Sequence, residues 1–243
     1  MAKWLPILTF HRIDEHYNPI CYNLSLFESA ITKLWEMNYT TISLEKAVNC
    51  LKTKKEFPNK SVVITFDDGD RTVYTQALVI LQKFQMTATI FLTVDYIGST
   101  FENRQMLNWQ EIRQMQNLGM NFGAHTLTHP DLTSLSLSKI KEEVYQSKSS
   151  IEDNLGVSVT SFAYPYGNYN SLTKQIVQQY FTCACSTKLA PLNLNSDLYS
   201  LERIDTYYLR SKFLFNLLFN NLFPAYLELR RIPRNLRELL KIK

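Results

Sequence analysis

Cysteine is scarce in this chain and uninformatively spaced: Cys21, Cys50, Cys183 and Cys185 form neither a Cys-x-x-Cys pair nor a zinc-ribbon pattern. A disulfide-stapled scaffold is therefore not expected, and the four thiols are predicted to be reduced and mostly buried, Cys183 and Cys185 in an apolar strand. Also lacking is any run near the roughly 20 apolar residues that a spanning helix needs. Residues 4–15 do not read as a secretory leader, because Pro6 interrupts the apolar stretch from Trp4 to Phe10 and Arg12, Asp14 and Glu15 follow at once. The expected location is the cytoplasm. An excess of one charge sign is missing as well: a net charge of +4 is too small to argue for a nucleic-acid partner.

What is present suits a soluble globular protein. Over 243 residues, 45% are hydrophobic and 20% charged, enough for a sizeable core without staples. Short β-branched or aromatic runs alternate with longer helical patterns, the signature of repeated β/α units around a parallel sheet. Strands are predicted at 7–11, 62–66, 89–94, 121–125, 161–164, 181–186 and 203–207, enough to close or nearly close a barrel. Ser25 with Glu28, and Asn108 with Glu111, read as capping boxes, while Gly119 and Gly156 sit where helices should stop. Helices over 70–84 and 135–155 are predicted to be the longest. A single catalytic domain is expected over residues 1–216, followed by a tail of different character over 217–243.

Three segments carry chemistry. Val62 to Gly69 (VVITFDDG) is an apolar strand ending in two adjacent carboxylates and a residue free to turn sharply. Where the pleat gives way to the turn, one carboxylate can bind a cation while its neighbour faces a substrate; the same tripeptide is also a common turn signal. Gly123 to Pro130 (GAHTLTHP) places His125 and His129 four apart at another strand end, where a helical turn would let both imidazoles meet one ion. With Asp68 they make a two-His, one-carboxylate set that leaves coordination positions open, as a catalytic site requires. Ser161 to Gly167 (SFAYPYG) breaks at Tyr164-Pro165, and the amide of Tyr166 could serve as an oxyanion donor.

Taken in order, Thr-Phe-Asp-Asp-Gly, His-Thr-x-x-His and Phe-Ala-Tyr-Pro-Tyr-Gly resemble the polysaccharide deacetylase family, also called the NodB homology domain or carbohydrate esterase family 4. The resemblance covers most of the chain up to about Tyr208. It implies an α/β fold, a distorted (β/α)7 barrel, and a divalent metal, zinc first with cobalt or nickel as alternatives. It also implies removal of acetyl from an N-acetylhexosamine. Carried over, it makes Asp67 the base, Asp68, His125 and His129 the metal ligands, and the Tyr166 amide part of the oxyanion hole, with Tyr164 and Pro165 beside the substrate. Two features of many members are missing: an arginine ahead of the Phe-x-Tyr-Pro segment, where Thr160 and Ser161 stand, and a histidine near the carboxyl end. His11, after the first strand, is the expected acid, as in the similar poly-N-acetylglucosamine deacetylase branch; His16 is a weaker choice.

After Leu217, apolar residues mix with Arg230, Arg231, Arg234, Arg237, Lys241 and Lys243 against Glu228 and Glu238. Pro224 and Pro233 predict short helices. Such a tail suits contact with anionic lipid at the inner face of the membrane, and equally a helix packed across the barrel with a solvated basic face. The substrate is accordingly expected to be a glycan or a lipid-linked sugar. The alternatives are a non-catalytic carbohydrate-binding protein on a decayed deacetylase fold, or a hydrolase of another C–N bond, such as a deformylase.

Overall fold

Successive residues of a strand point to opposite faces, so a closed sheet can bury one set inside and cover the other with helices. A computed structural model, which describes residues 2–15 and 20–240 and gives only the backbone course for 233–240, follows this plan. The strands are β1 (Ile7–Phe10), β2 (Ser61–Phe66), β3 (Thr89–Leu92), β4 (Asn121–Ala124), β5 (Ser161–Ala163), β6 (Cys183–Leu189) and β7 (Leu201–Asp205). Neighbours in this order pair in parallel, β7 pairs with β1, and β1 with β2, so the ring closes. An eighth strand of the sheet, Thr40–Thr41, only fills the foot of the gap between β2 and β3. The expected α/β barrel is thus observed, with all seven predicted strands in it.

Parity separates two cores. Ile7, Val63, Phe91, Ala163, Cys183, Cys185 and Leu201 fill the barrel, plugged by Leu44, Ala47, Val48 and Leu51 of helix α2 (Leu44–Thr53), which follows α1 (Leu24–Glu36). Leu8, Ile64, Phe66, Ile90, Phe162 and Ile204 face outward into the helical layer. That layer holds α3 (Leu78–Lys83), α4 (Trp109–Asn117), α5 (Leu137–Leu155) and α6 (Ser171–Tyr180). The cysteines are free, and Cys50 alone is only partly covered.

The predicted Asn108–Glu111 capping box forms at α4, and Gly156 ends α5 with φ 66°. Two other local signals give a different outcome. α1 is capped by Asn23, whose side chain accepts from Leu26 N; Ser25 Oγ donates to that same Asn23 oxygen, so no box forms at Ser25. The expected helix over 70–84 opens with a π-helical turn over Val73–Ala77 before α3 begins.

The carboxyl end also differs from expectation. After α7 (Lys212–Asn216), a single helix, α8, runs from Phe223 to Leu240. Pro224 lies in its first turn, where no N–H is needed, and at position 233 the helix continues despite the one backbone hydrogen bond a proline cannot make. Leu217, Leu218, Phe223 and Leu227 are buried in the same cluster as the barrel's outer core. Tyr39 and Phe219 meet edge to face at 5.3 Å, and Arg231 Nε donates to Leu189 O at 2.6 Å. Phe223→Ala should therefore lower the unfolding free energy by about 3 kcal/mol or more in a urea titration, as for other buried aromatic truncations.

Candidate metal centre

At the end of β2, Asp67 keeps the inward parity of Val63 and Thr65, but Asp68 does not continue the strand. Its φ is 72° and that of Gly69 is 84°, a left-handed turn that aspartate tolerates and glycine prefers. A Cβ on Gly69 would also stand 3.1 Å from Leu92 Cδ2. The turn sends two adjacent carboxylates, both nearly fully buried, in different directions.

His125 follows β4 and is anchored by its N–H to Leu92 O. Its Nδ1 lies 2.7 Å from Ala163 O; a carbonyl only accepts, so Nδ1 carries the proton and Nε2 faces the site. His129 arrives by a different route from the one predicted. The segment is not a helical turn: Thr126 (φ 69°) and His129 (φ 60°) are both left-handed, and the loop between them folds back on itself. The buried carboxylate of Glu143 on α5 holds that loop, accepting from Leu127 N (2.8 Å), Thr128 N (3.0 Å) and Thr128 Oγ1 (2.6 Å).

Asp68 Oδ1 consequently lies 3.5 Å from Nε2 of each histidine, and the three ligand atoms fall within 4.8 Å of one another. Among the described residues this is the one such group. Burial opposes ionisation of Asp68, but its hydrogen bond with His125 and the surrounding imidazoles hold its carboxyl well below the usual range. Burial, and then the charge of His125, push His129 down to about 4, leaving it neutral at pH 7. His125 is raised against its burial by Asp68 and Asp67. An ionised carboxylate beside two inward nitrogens is a donor set that fits a zinc-type cation.

Asp67 is clamped by a residue the sequence reading did not single out. Arg203, in the middle of β7, donates from Nη1 to Oδ1 (2.8 Å) and from Nη2 to Oδ2 (2.7 Å), while its Nε bonds Ser186 O. Burial works against the ionised form of Asp67, and the charge and hydrogen bonds of Arg203 outweigh it, so its carboxyl stays below the ordinary value. The signal that could have found Arg203 is parity: Leu201 points into the barrel, so Arg203 must as well.

The remaining predicted residues fall into two groups. His11 follows β1 beside Asp67, because Phe10 pairs with Phe66 and Asp67 N donates to Phe10 O; its charge acts on Asp67 and Asp68. It lines a cleft of about 220 Å³ with Tyr22, Asp205, Tyr207 and Arg210. Tyr166, left-handed at φ 59° and 59% exposed, sets its ring 4.8 Å from that of His129. Gly167 must be glycine, since a Cβ there would lie 2.1 Å from Thr187 Oγ1. Tyr164 does not line the site: its ring is buried among Phe162 and Tyr169, and its hydroxyl donates to Tyr199 O. Pro165 is buried too, its part being to shape the turn. His16 lies outside the described residues.

Comparison with known proteins agrees with this geometry. The family model for polysaccharide deacetylase matches residues 54–181, more than half of the chain. The chain belongs to the polysaccharide deacetylase family. Among curated proteins, it is 28% identical to YxkH of Bacillus subtilis over 201 residues, 82% of this chain and 70% of that protein. It is 31% identical over 156 residues to a poly-β-1,6-N-acetyl-D-glucosamine N-deacetylase of Staphylococcus aureus, 60% of this chain and 53% of the relative. The aligned part thus spans about half the length of that enzyme. The solved deacetylase PplD of Streptococcus pyogenes, in complex with acetate, superposes with a TM-score of 0.78 at 27% identity, covering 84% of this chain and 93% of that one.

The deacetylase segment matched by the family model contains Asp67, Asp68, His125, His129 and Tyr166 but neither His11 nor Arg203. Arg203→Met leaves Asp67 buried without a counter-charge, which should cost about 3 kcal/mol or more of stability in denaturant titrations of the metal-free protein. Arg203→Lys should recover only part of it, since one ammonium cannot span both oxygens.

Proposed function

We propose that this polysaccharide deacetylase is a metal-dependent hydrolase that removes N-acetyl groups from N-acetylhexosamine units of a glycan or a lipid-linked sugar. The observation that carries the reading is the division of labour between neighbours: Asp68 converges with His125 and His129, while Asp67, one residue away, is held apart by Arg203. The poly-N-acetylglucosamine substrate of the S. aureus relative and the acetate bound to PplD support the same bond. Zinc, with cobalt or nickel as substitutes, would be held by Asp68, His125 and His129, and when bound it supplies Lewis acidity that brings the pKa of a coordinated water towards about 7.

The chain's own groups do the rest. Asp67, kept ionised by Arg203, takes a proton from the attacking water. Arg203 fixes both Asp67 oxygens, so the base cannot rotate away from the reacting proton. The Tyr166 amide, aimed by its left-handed turn, donates to the carbonyl oxygen as it gains charge. His11 donates a proton to the departing amine, and acetate and the free amino sugar leave. The alternative of a decayed, merely carbohydrate-binding protein rests on the absent arginine and the absent carboxyl-end histidine; against the first, Arg203 engages Asp67 from another strand.

The polar and apolar faces of α8 suggest where this happens. Leu222, Leu229 and Ile232 are exposed beside Arg230 and Arg231, and more basic residues follow in the sequence. No described helix is long and apolar enough to cross a membrane. We place the enzyme peripherally on anionic lipid at the cytoplasmic face, the tail lying in the interface.

Two experiments bear on these points. Asp67→Asn should retain stoichiometric zinc while acetate release from N-acetylglucosamine oligomers falls at least ~1,000-fold, whereas His125→Ala should lose both; near-normal turnover by Asp67→Asn ends the assignment of the base. Replacing Leu229 and Ile232 with glutamate should halve, or more, the fraction that sediments with vesicles containing phosphatidylserine. Equal sedimentation by variant and parent would remove the membrane from the picture.

A further inference from the structure

Arg104 is a buried cation with no part in the chemistry described above. It sits in a hairpin, Thr100–Phe101 paired with Arg104–Gln105, whose two-residue turn needs positive φ at both Glu102 and Asn103. The hairpin is tied to the segment that carries the metal ligand: Arg71 N donates to Gln105 O and Leu107 N to Gly69 O, both at 2.9 Å. Phe101 packs against Tyr96 (4.3 Å), against the ring of His129 (5.5 Å) and beneath the Arg104 guanidinium (5.2 Å). Arg104 is thus held rigidly from both sides.

Its closest partner is Asp68. Nη1 donates to Asp68 Oδ2 at 3.0 Å, while Asp70 Oδ2 is 3.9 Å away and Glu102 lies at the exposed edge, 3.3 Å from Nη2. Asp70 already accepts from Thr72 N and Thr72 Oγ1 through its other oxygen. The oxygens of Asp68 are therefore divided: Oδ1 faces both imidazoles and Oδ2 faces Arg104.

We infer that Arg104 is a positioning residue that restricts Asp68 to binding the cation through one oxygen, keeping a coordination position free for substrate. The inference rests on the metal-dependent reading proposed above. A carboxylate without such a partner can close both oxygens on a small cation, occupying the place a water or carbonyl needs. The guanidinium also withdraws charge from the ligand and repels the cation, so the site gives up affinity and gains acidity.

The test compares zinc-loaded parent protein with Arg104→Met and Arg104→Lys, by crystal structure, by zinc competition with a chromophoric chelator, and by acetate release. The parent should bind zinc through one Asp68 oxygen. Arg104→Met should bind it through both, hold it about 10-fold more tightly and lose about 10-fold or more in kcat, and Arg104→Lys should return to one oxygen. Arg104→Gln, also uncharged, serves for the same comparison if the methionine variant does not fold. One-oxygen binding in the uncharged variant, or zinc affinity that falls in step with activity, would mean the guanidinium merely braces the hairpin. Failure of the underlying reading looks different: the parent itself would bind no zinc or release no acetate.

Discussion

Two adjacent carboxylates cannot both be buried and ionised unless each has its own counter-charge, and much of this barrel's upper rim follows from that constraint. Asp67 and Asp68 are only 3% and 5% exposed. Removing one such ion from water costs several kcal/mol even after relaxation, and two side by side also repel each other. The left-handed turn at Asp68 lets them point apart, and each then meets a different guanidinium, Arg203 for Asp67 and Arg104 for Asp68. Because each meets its own arginine, the acids are chemically distinct although they are neighbours in the chain: Asp67 has both oxygens engaged by a planar fork, and Asp68 keeps an oxygen for the histidines.

Closure of the barrel supplies one of those counter-charges. Arg203 lies 136 residues after Asp67, yet β7 and β2 both flank β1, and inward parity brings the arginine across the interior. The same closure puts His11 next to Asp67. Groups from the two ends of the chain thus complete a site whose centre lies between residues 67 and 166. That explains how a sequence without an arginine near its third motif still clamps Asp67: the motif is a place in space, reachable from another strand of the ring.

The sequence was most informative where function is local. The strands, the Asp-Asp-Gly turn and the histidine pair each announce themselves within a few residues, through alternation or through donor types at ligand spacing. Arg203, Arg104 and Glu143 do not, because each acts only on a partner brought close by folding, and an arginine in a strand or a glutamate in an amphipathic helix has an ordinary solvated alternative. Tyr164 shows the opposite error. Its place in a motif suggested contact with substrate, but the break at Pro165 comes one residue too late for it to leave the core. In α8, two prolines were weighed as helix breakers, although one occupies the first turn and the buried Phe223 and Leu227 hold the helix in place.

Backbone strain gathers at the same rim. Asp68, Thr126, His129 and Tyr166 all adopt positive φ, each at a cost of about 1 kcal/mol or more for a residue with a side chain. Such conformations persist only when their surroundings over-determine them. Here Val94 N bonds Thr126 O, Glu143 gathers the amides of Leu127 and Thr128, Gly167 N bonds Tyr164 O, and Leu107 N bonds Gly69 O. α5 and the 100–105 hairpin therefore belong to the site without lining it. With the ligand atoms already assembled, Asp68 ionised and His129 neutral, little reorganisation is left for cation binding. Holding a cation there would demand less than folding three ligands around an ion, and would leave Asp67 and Arg203 undisturbed beside it.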